Sequence, residues 1–215
     1  MLIAPAFMGI LAGRLANTLN DYLVEKPKST AIPALSFRSI FLNDGIPAFA
    51  LEFLALLWVV ACSFLPLHLW LSYSLFGIAA LLMARTDWEH RHLYNIVHVP
   101  LILASLPIMY ATGYDQAAIT VISSAGAMAL LFLFSWIAKL RIGQHGSGFG
   151  DVILLGTLSL SLGWSLIPVM ILLACLLALL YRLLSRCPKI PFGSFLSLSA
   201  MATMAFQWLP YDFLK

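Results

Sequence analysis

The residues best suited to chemistry form a short glycine-rich stretch that runs directly into an apolar segment. Gly146, Gly148 and Gly150 precede Asp151, and the apolar run begins at Val152. Because glycine has no Cβ, this turn can adopt positive φ angles and can admit the backbone of a peptide. A carboxylate at the mouth of a membrane helix is costly unless it faces a protein interior or a watery cavity. Asp151 is therefore predicted to be functional.

A second carboxylate, Asp87, lies in a polar stretch between two other apolar segments. Asp151 is expected at a helix N-terminus, which favours the anion, and Asp87 at a helix C-terminus, which disfavours it. If the two side chains also approach each other, like-charge repulsion makes them share one proton. The ionised carboxylate can then activate water while the protonated one polarises a peptide carbonyl. The pair predicts the chemistry of an aspartic protease.

The composition places these residues in a membrane protein. Of 215 residues, 62% are hydrophobic and 10% are charged, and the mean hydropathy is +0.96. These values exclude an ordinary soluble domain and predict an all-α polytopic protein. The net charge of +3 forms no patch for nucleic acid. Three cysteines without a C-x-x-C pair, and histidines without a second acidic set, predict neither a disulfide framework nor a metal site.

About eight membrane spans are expected, within a single membrane domain over residues 1–215. Since about 20 apolar residues cross the hydrocarbon core, the spans are placed at about 2–23, 46–64, 67–84, 96–112, 117–138, 151–163, 165–184 and a final stretch ending near 208. The opening residues lack the basic region of a removable signal peptide and are expected to belong to the first span. The sixth span is short for a full crossing.

Lysine and arginine residues concentrate in alternate loops, near 26–44, 85–95, 139–150 and 185–191. Such loops remain on the cytoplasmic side of the membrane. Both termini then face outward, and both carboxylates lie at the cytoplasmic membrane surface. The candidate active site is therefore expected at that surface.

Other interpretations of the same residues remain open. Asp151 alone is also a good helix cap, and Asp87 alone could be a solvated charge beside the membrane. A buried polar network that fixes helix packing is preferred to catalysis for a further set of polar residues, namely Arg14, Asn17, Asn20, Asp21 and Glu52. A small proton- or cation-coupled transporter could use Glu52, Asp87 and Asp151 as an ion path, although no inverted repeat supports it. A non-enzymatic pilus or secretion assembly subunit is a third possibility.

Several motifs resemble those of the type IV prepilin peptidases, bacterial members of the intramembrane aspartyl proteases that carry a G-x-G-D motif. Residues 148–155 are similar to the second catalytic motif of that family, and Asp87 with Leu93, Asn95 and Pro100 is similar to the first. Residues 9–20 resemble its N-terminal glycine and asparagine stretch. Residues 190–193, with the sequence I-P-F-G, resemble its closing motif. Residues 47–52 resemble more loosely its proline-then-glutamate entry to the second span.

Three departures accompany the resemblance. Tyr94 replaces a proline that is usual in the family, and Ile153 replaces a lysine. Many members also carry two C-x-x-C pairs in a cytoplasmic domain after the first span, whereas the loop at 25–44 has no cysteine. The chain therefore resembles the short members of the family.

The resemblance implies cleavage of the basic leader from a prepilin or pseudopilin, after a glycine, in the bacterial inner membrane. It implies Asp87 and Asp151 as catalytic residues. Substrate contact or structural support is implied for six others: Glu52, Asn95, Gly148, Gly150, Pro191 and Gly193. Many members also methylate the new N-terminus with S-adenosylmethionine, but the sequence shows no nucleotide-cradling loop, so methylation stays open. No other cofactor and no metal are expected. The particular pilin, its system and the oligomeric state are not determined.

Overall fold

The computed structural model describes residues 9–11, 13–15, 46–63, 65–90, 93, 95–142, 148–185 and 190–207. Its regular structure within these ranges is helical, without a strand. Seven helices follow one another from residue 46 onward: α1 (Ile46–Cys62), α2 (Leu67–His90), α3 (His98–Thr112, after a 3-10 turn at Asn95–Val97), α4 (Tyr114–Ile142), α5 (Phe149–Leu162), α6 (Ile167–Ser185) and α7 (Phe192–Gln207). Residues 9–11 and 13–15 are also helical.

The predicted all-α membrane class is confirmed. Three stretches within the described residues are long and apolar enough to cross a membrane: Leu69–Trp88, Tyr114–Arg141 and Ile167–Leu184. The protein is a multi-pass membrane protein, and helices α1 to α7 lie at the positions of the last seven predicted spans. Most of the first predicted span and the loop at 25–44 lie outside the described residues, so the count of eight stays a prediction.

Two predicted boundaries differ from the structure. The stretch after residue 84 was expected to be a loop, but α2 continues through Asp87 to His90. Helix α5 begins at Phe149, two residues before the expected start. It has 14 residues, which at 1.5 Å per residue spans about 21 Å, less than the hydrocarbon core of about 30 Å. The prediction of a short sixth span is confirmed.

The helices divide into an inner and an outer set. Helix α2 packs against α1, α3 and α7, and α7 also packs against α5 and α6. Buried positions make up 67% of the stretch Leu69–Trp88 but only 17% of Tyr114–Arg141 and 22% of Ile167–Leu184. Helices α4 and α6 therefore present most of their apolar side chains to lipid, and α2, α3, α5 and α7 form the interior.

Small hydroxyl residues allow neighbouring helices to approach closely. Ser124 of α4 donates to the Gly156 carbonyl of α5 at 2.8 Å, and Ser159 is fully buried and donates to Leu155 O at 2.6 Å. Such residues are typical of helix contacts in membranes, because they satisfy their own hydroxyl and leave little bulk between backbones. Because the chain runs up and down, the ends of α2, α4 and α6 meet the beginnings of α3, α5 and α7. Asp87, Asp151 and residue 193 therefore lie at the same end of the bundle.

Candidate active site

Asp87 lies one turn before the end of α2 and is buried, with 6% of its surface exposed. Its Oδ2 accepts a hydrogen bond from the backbone N–H of Ser194 at 2.9 Å. The Ser194 hydroxyl donates to Ala84 O at 2.7 Å and lies 3.3 Å from the same Oδ2. The N–H groups in the first turn of a helix have no partner within that helix. Asp87 therefore caps α7 from a different helix.

This cap changes the electrostatics expected at Asp87. From the sequence, only the C-terminal end of α2 was placed near this carboxylate, and its charge was expected to be disfavoured. In the structure the N-terminus of α7 also points at Asp87, and a helix N-terminus stabilises an anion. The expected dipole asymmetry between the two aspartates is therefore wrong, because each carboxylate contacts a helix N-terminus.

Asp151 lies in the first turn of α5 and accepts a hydrogen bond from the Gly148 N–H on Oδ2 at 3.1 Å. Gly148 is the N-cap residue, and the Asp151 N–H donates back to its carbonyl at 3.1 Å. Asp151 thus stabilises the start of its own helix, as the capping interpretation requires. This interaction involves only Oδ2, so capping does not prevent Oδ1 from taking part in chemistry.

Gly193 brings the two carboxylates together. A methyl group placed on its Cα would lie 3.1 Å from Asp87 Oδ2 and 3.2 Å from Asp151 Oδ1. Any residue with a Cβ would therefore press on both side chains at once. Like-charge repulsion between two carboxylates that meet at one point disfavours the ionisation of both at once. The approach of Asp87 and Asp151 expected from the sequence is present.

The motif glycines that the structure describes do not use the positive φ angles that glycine allows. Gly148 has a φ of −71°, and Gly150 is helical, whereas positive φ occurs at Gly113 and Gly163. Gly146 lies outside the described residues. At Gly150 an added methyl would lie 3.1 Å from Leu93 Cβ, so its small size serves a contact within the chain.

The structure describes the other predicted site residues only in part. Pro191 is buried, and its carbonyl accepts the Phe195 N–H at 3.5 Å at the start of α7. Glu52 belongs to α1 and Asn95 opens the 3-10 turn, but their side chains lie outside the described part, as do His90 and His92. His98 is buried, with its Nδ1 3.2 Å from Thr157 Oγ1. Among the described side chains, no group of three His, Cys, Asp or Glu could hold a metal ion.

Two features of the site were missed by sequence reasoning. Ser194, which binds Asp87, directly follows the I-P-F-G motif, and that adjacency was the available signal. The second feature is an aromatic cluster that joins α2, α6 and α7, with ring centroids 5.2 to 6.0 Å apart, formed by Trp88, Tyr181 and Phe195. Trp88 follows Asp87 and Phe195 follows Ser194, so the cluster holds the two helices together beside the carboxylates.

A helical membrane bundle in which two aspartates meet at one end has the arrangement expected of an intramembrane aspartyl enzyme. Within that class, residues 74–183 match the type IV leader peptidase family. This match covers just over half of the chain and includes Asp87 and Asp151. The chain belongs to this family.

Its relatives include proteins named prepilin leader peptidase/N-methyltransferase. The one from Burkholderia pseudomallei (strain 1026b) is 29% identical over 140 residues, covering 61% of this chain and 45% of the relative. The one from Stutzerimonas stutzeri is 30% identical over 135 residues, covering 58% and 45%, and the one from Aeromonas salmonicida (strain A449) is 29% identical over 120 residues, covering 53% and 41%. The match thus spans less than half the length of these curated relatives. No solved structure matches the chain.

Proposed function

We propose that this chain is an aspartic endopeptidase that removes the leader from type IV prepilins or pseudopilins at the cytoplasmic surface of the bacterial inner membrane. The observation that carries the proposal is the convergence of Asp87 and Asp151 on Gly193. The family supports it, and so do the names of the relatives. Residues 1–215 would act as one membrane domain.

The two carboxylates would divide the chemistry of peptide hydrolysis between them. The ionised member takes a proton from a water molecule whose oxygen attacks the scissile carbonyl carbon, and the protonated member gives its proton to the carbonyl oxygen. When the tetrahedral diol collapses, one of its hydroxyl groups returns its proton to the pair, the C–N bond breaks, and the leaving amine takes a proton from the pair. The pair then again holds one proton.

The backbone would orient the carboxylates for these steps. Ser194 N–H and Gly148 N–H each donate to an Oδ2 atom. The Gly148 N–H thereby engages Asp151 Oδ2, which favours Asp151 Oδ1, the atom nearest Gly193, as the atom that carries or receives the proton. Gly193, Gly150 and Pro191 would support this geometry through their close packing. Substrate contact by Glu52 and Asn95 stays a prediction.

The charge distribution supports a cytoplasmic location for the site. Four basic residues lie near the same ends of the helices as the aspartates, namely Arg85, Lys139, Arg141 and Arg182. The described turns at the opposite end, at 65–66, 113 and 163–166, contain no lysine or arginine. An excess of basic residues marks the cytoplasmic side of a membrane protein. The site would therefore meet a leader that has not crossed the membrane.

The names of the relatives also raise methylation with S-adenosylmethionine, which stays open for this chain. The cavity beside the aspartates is lined by apolar side chains and the Cys175 thiol. A pocket with several polar groups, including Gln116 and Thr120, lies at the opposite end of the bundle and holds about 140 Å³. Neither fits a nucleoside next to the new N-terminus, since polar groups must fix the orientation of such a ligand. We therefore derive no methylation step.

The direct test is to express the chain with a membrane-inserted prepilin in cells that lack their own leader peptidase. We expect conversion to the shorter mature form, with a single new N-terminus detected by mass spectrometry. An inserted and abundant chain that leaves the prepilin at full length would contradict the proposal. Family membership would then reflect a different role, such as a non-enzymatic subunit.

A further inference from the structure

A large apolar groove opens between α4 and α6 on the lipid side of the bundle. The two helices touch each other only weakly, although α4 packs well on α5 and α6 on α7. The gap between them has a volume of about 510 Å³, and its floor is formed by Leu155, Phe192 and Leu196. This volume lies within the range of about 300 to 1,000 Å³ that is usual for binding sites.

The walls of the groove have the geometry of a helix-docking site. Helix α4 contributes positions 127, 130, 131 and 134, and α6 contributes positions 168, 171, 172 and 175, with Ile167 beside them. Each set follows the spacing i, i+3, i+4, i+7 of a single helix face. Seven residues of helix rise about 10 Å. Each wall of the groove is therefore about two helical turns long and runs along its own helix.

One end of the groove floor lies next to the candidate active site, although neither aspartate lines the groove. Phe192 in its floor precedes Gly193, on which the two aspartates converge, and Leu155 lies one helical turn after Asp151. The other end reaches Ile167, at the start of α6 and therefore at the opposite end of the bundle. An apolar segment lying in the groove would thus have one terminus beside the carboxylates and the remainder within the membrane.

We propose that this groove binds the apolar helix of the substrate that follows the scissile bond, holding it parallel to α4 and α6 so that the bond lies at Asp87 and Asp151. This inference rests on the proposed function. Binding of an apolar helix in such a groove, through side chains at positions i, i+3, i+4 and i+7, is a common recognition mode. A lipid chain could also fill apolar space, but the continuity of the floor with the aspartates favours an occupant that presents a peptide bond there.

The first test fills the groove with a larger side chain. Leu172→Trp changes an exposed residue of the groove wall, and Leu180→Trp makes the same change at an exposed residue of α6 outside the groove. Initial rates of cleavage of a membrane-inserted prepilin are measured for both variants and for the unmodified chain at equal abundance. We expect Leu172→Trp to lose roughly tenfold in rate, which is the lower end of what one badly fitting apolar group costs in a binding pocket. Leu180→Trp should cleave at the unmodified rate.

The second test uses a native side chain of the groove and adds no bulk to it. Cys175 is an exposed thiol in the groove wall. Single cysteines are placed along the apolar helix of the prepilin. Each prepilin variant is combined in membranes with the full chain carrying Asp151→Asn, because this substitution should prevent cleavage of the substrate. Disulfide formation is then induced by an oxidant. We expect disulfide formation at substrate positions that share one helix face, and its loss in the Cys175→Ser variant.

The outcomes separate this inference from the proposed function. If the unmodified chain does not cleave prepilin, the proposed function fails and the groove has no such substrate. If the unmodified chain cleaves prepilin, but Leu172→Trp and Leu180→Trp cleave equally or no crosslink depends on Cys175, the docking inference is wrong while the peptidase stands.

Discussion

At the scale of single residues, the site depends on contacts that each aspartate makes with the backbone of a helix N-terminus. Asp87 binds the Ser194 N–H, and Asp151 binds the Gly148 N–H. These contacts leave the carboxylates facing each other across Gly193. An aspartate that caps a helix is usually a structural residue. Here the caps orient two acids toward one point, so capping and chemistry support each other.

The first prediction concerns the aspartates as a unit. Asp87→Asn or Asp151→Asn alone should abolish leader cleavage, because an amide cannot take a proton from water or donate one as an acid. The double variant should be hardly worse than either single one, since residues that act together have strongly non-additive effects. Cleavage is measured on membrane-inserted prepilin at equal abundance of each variant. Asp115→Asn, an exposed acid at the opposite end of the bundle, is the control. Near-normal cleavage by Asp151→Asn would return Asp151 to the role of a helix cap.

The second prediction concerns Gly193. Gly193→Ala places a methyl 3.1 Å from Asp87 Oδ2 and 3.2 Å from Asp151 Oδ1, so at least one carboxylate must move by a few tenths of an ångström. Misplacement of about 1 Å can cost about a hundredfold in rate, so we expect a loss between about tenfold and a hundredfold with normal membrane insertion. Gly126→Ala is the matched control, because an added methyl there meets no atom within 4 Å. Equal activity of the two variants would show that the pair is not constrained at Gly193.

At the scale of elements, the site is assembled by three helices that are distant in the chain. Helix α2 supplies Asp87, α5 supplies Asp151, and α7 inserts its first turn between them. The Trp88, Tyr181 and Phe195 rings connect α2 and α7 to the outer helix α6. Aromatic pairs of this kind add about 0.5 to 1.5 kcal/mol beyond the area they bury. The end of α2, which carries Asp87, is therefore held against α7 and α6 by contacts next to the acid itself.

The third prediction tests a buried contact that joins α3 to α5 below the site. His98 Nδ1 lies 3.2 Å from Thr157 Oγ1, and the Thr157 hydroxyl also donates to Leu154 O at 3.0 Å. In a double-mutant cycle with His98→Phe and Thr157→Val, we expect a coupling of about 0.6 kcal/mol, the average for hydrogen bonds between membrane helices. Reversible unfolding in mixed micelles provides the free energies. Strictly additive losses would indicate that the two groups do not interact.

At the scale of the whole molecule, the distribution of charge and the exposure of the helices give the bundle its orientation and its environment. The described basic residues of α2, α4 and α6 lie toward the end that holds the aspartates. The outer helices α4 and α6 expose large apolar side chains along their length, including Leu130, Phe134 and Leu172. Such surfaces are stable in hydrocarbon. The backbone N–H and C=O groups of a helix pair with each other, so the helix loses no hydrogen bond when lipid replaces water around it.

The fourth prediction tests this orientation. A single cysteine introduced as His145→Cys should react with a membrane-impermeant maleimide only from the cytoplasmic side, and Asp115→Cys only from the opposite side, because basic loops remain inside. Labelling is compared in intact and permeabilised cells. A background in which Cys175 and Cys187 are serine removes two native thiols, and Cys62 is buried. Reaction of His145→Cys in intact cells would contradict both the orientation and a cytoplasmic active site.

The sequence by itself determined the helical membrane class, the approximate positions of the helices and the two candidate acids. These properties are local. An apolar run of sufficient length must form a helix in a membrane, and a carboxylate in or beside such a run is rare, so it stands out as a candidate functional residue. The structure places helices at the last seven predicted spans and brings Asp87 and Asp151 together. The interpretation of these acids as catalytic was based on their residue types and on motifs, and it stays a proposal.

Only the tertiary structure decided how the acids are held and what lies beside them. The Ser194 contact joins residues 107 positions apart, and no pattern in the sequence around Asp87 indicates that the N-terminus of another helix will point at it. Gly148 and Gly150 do not use the positive φ angles that glycine allows, because glycine there serves a helix start and close packing, which depend on neighbours. The groove between α4 and α6 arises from two helices that pack on different partners and leave a gap. Such relations depend on how helices pack in three dimensions, and a one-dimensional pattern of apolar residues does not specify them.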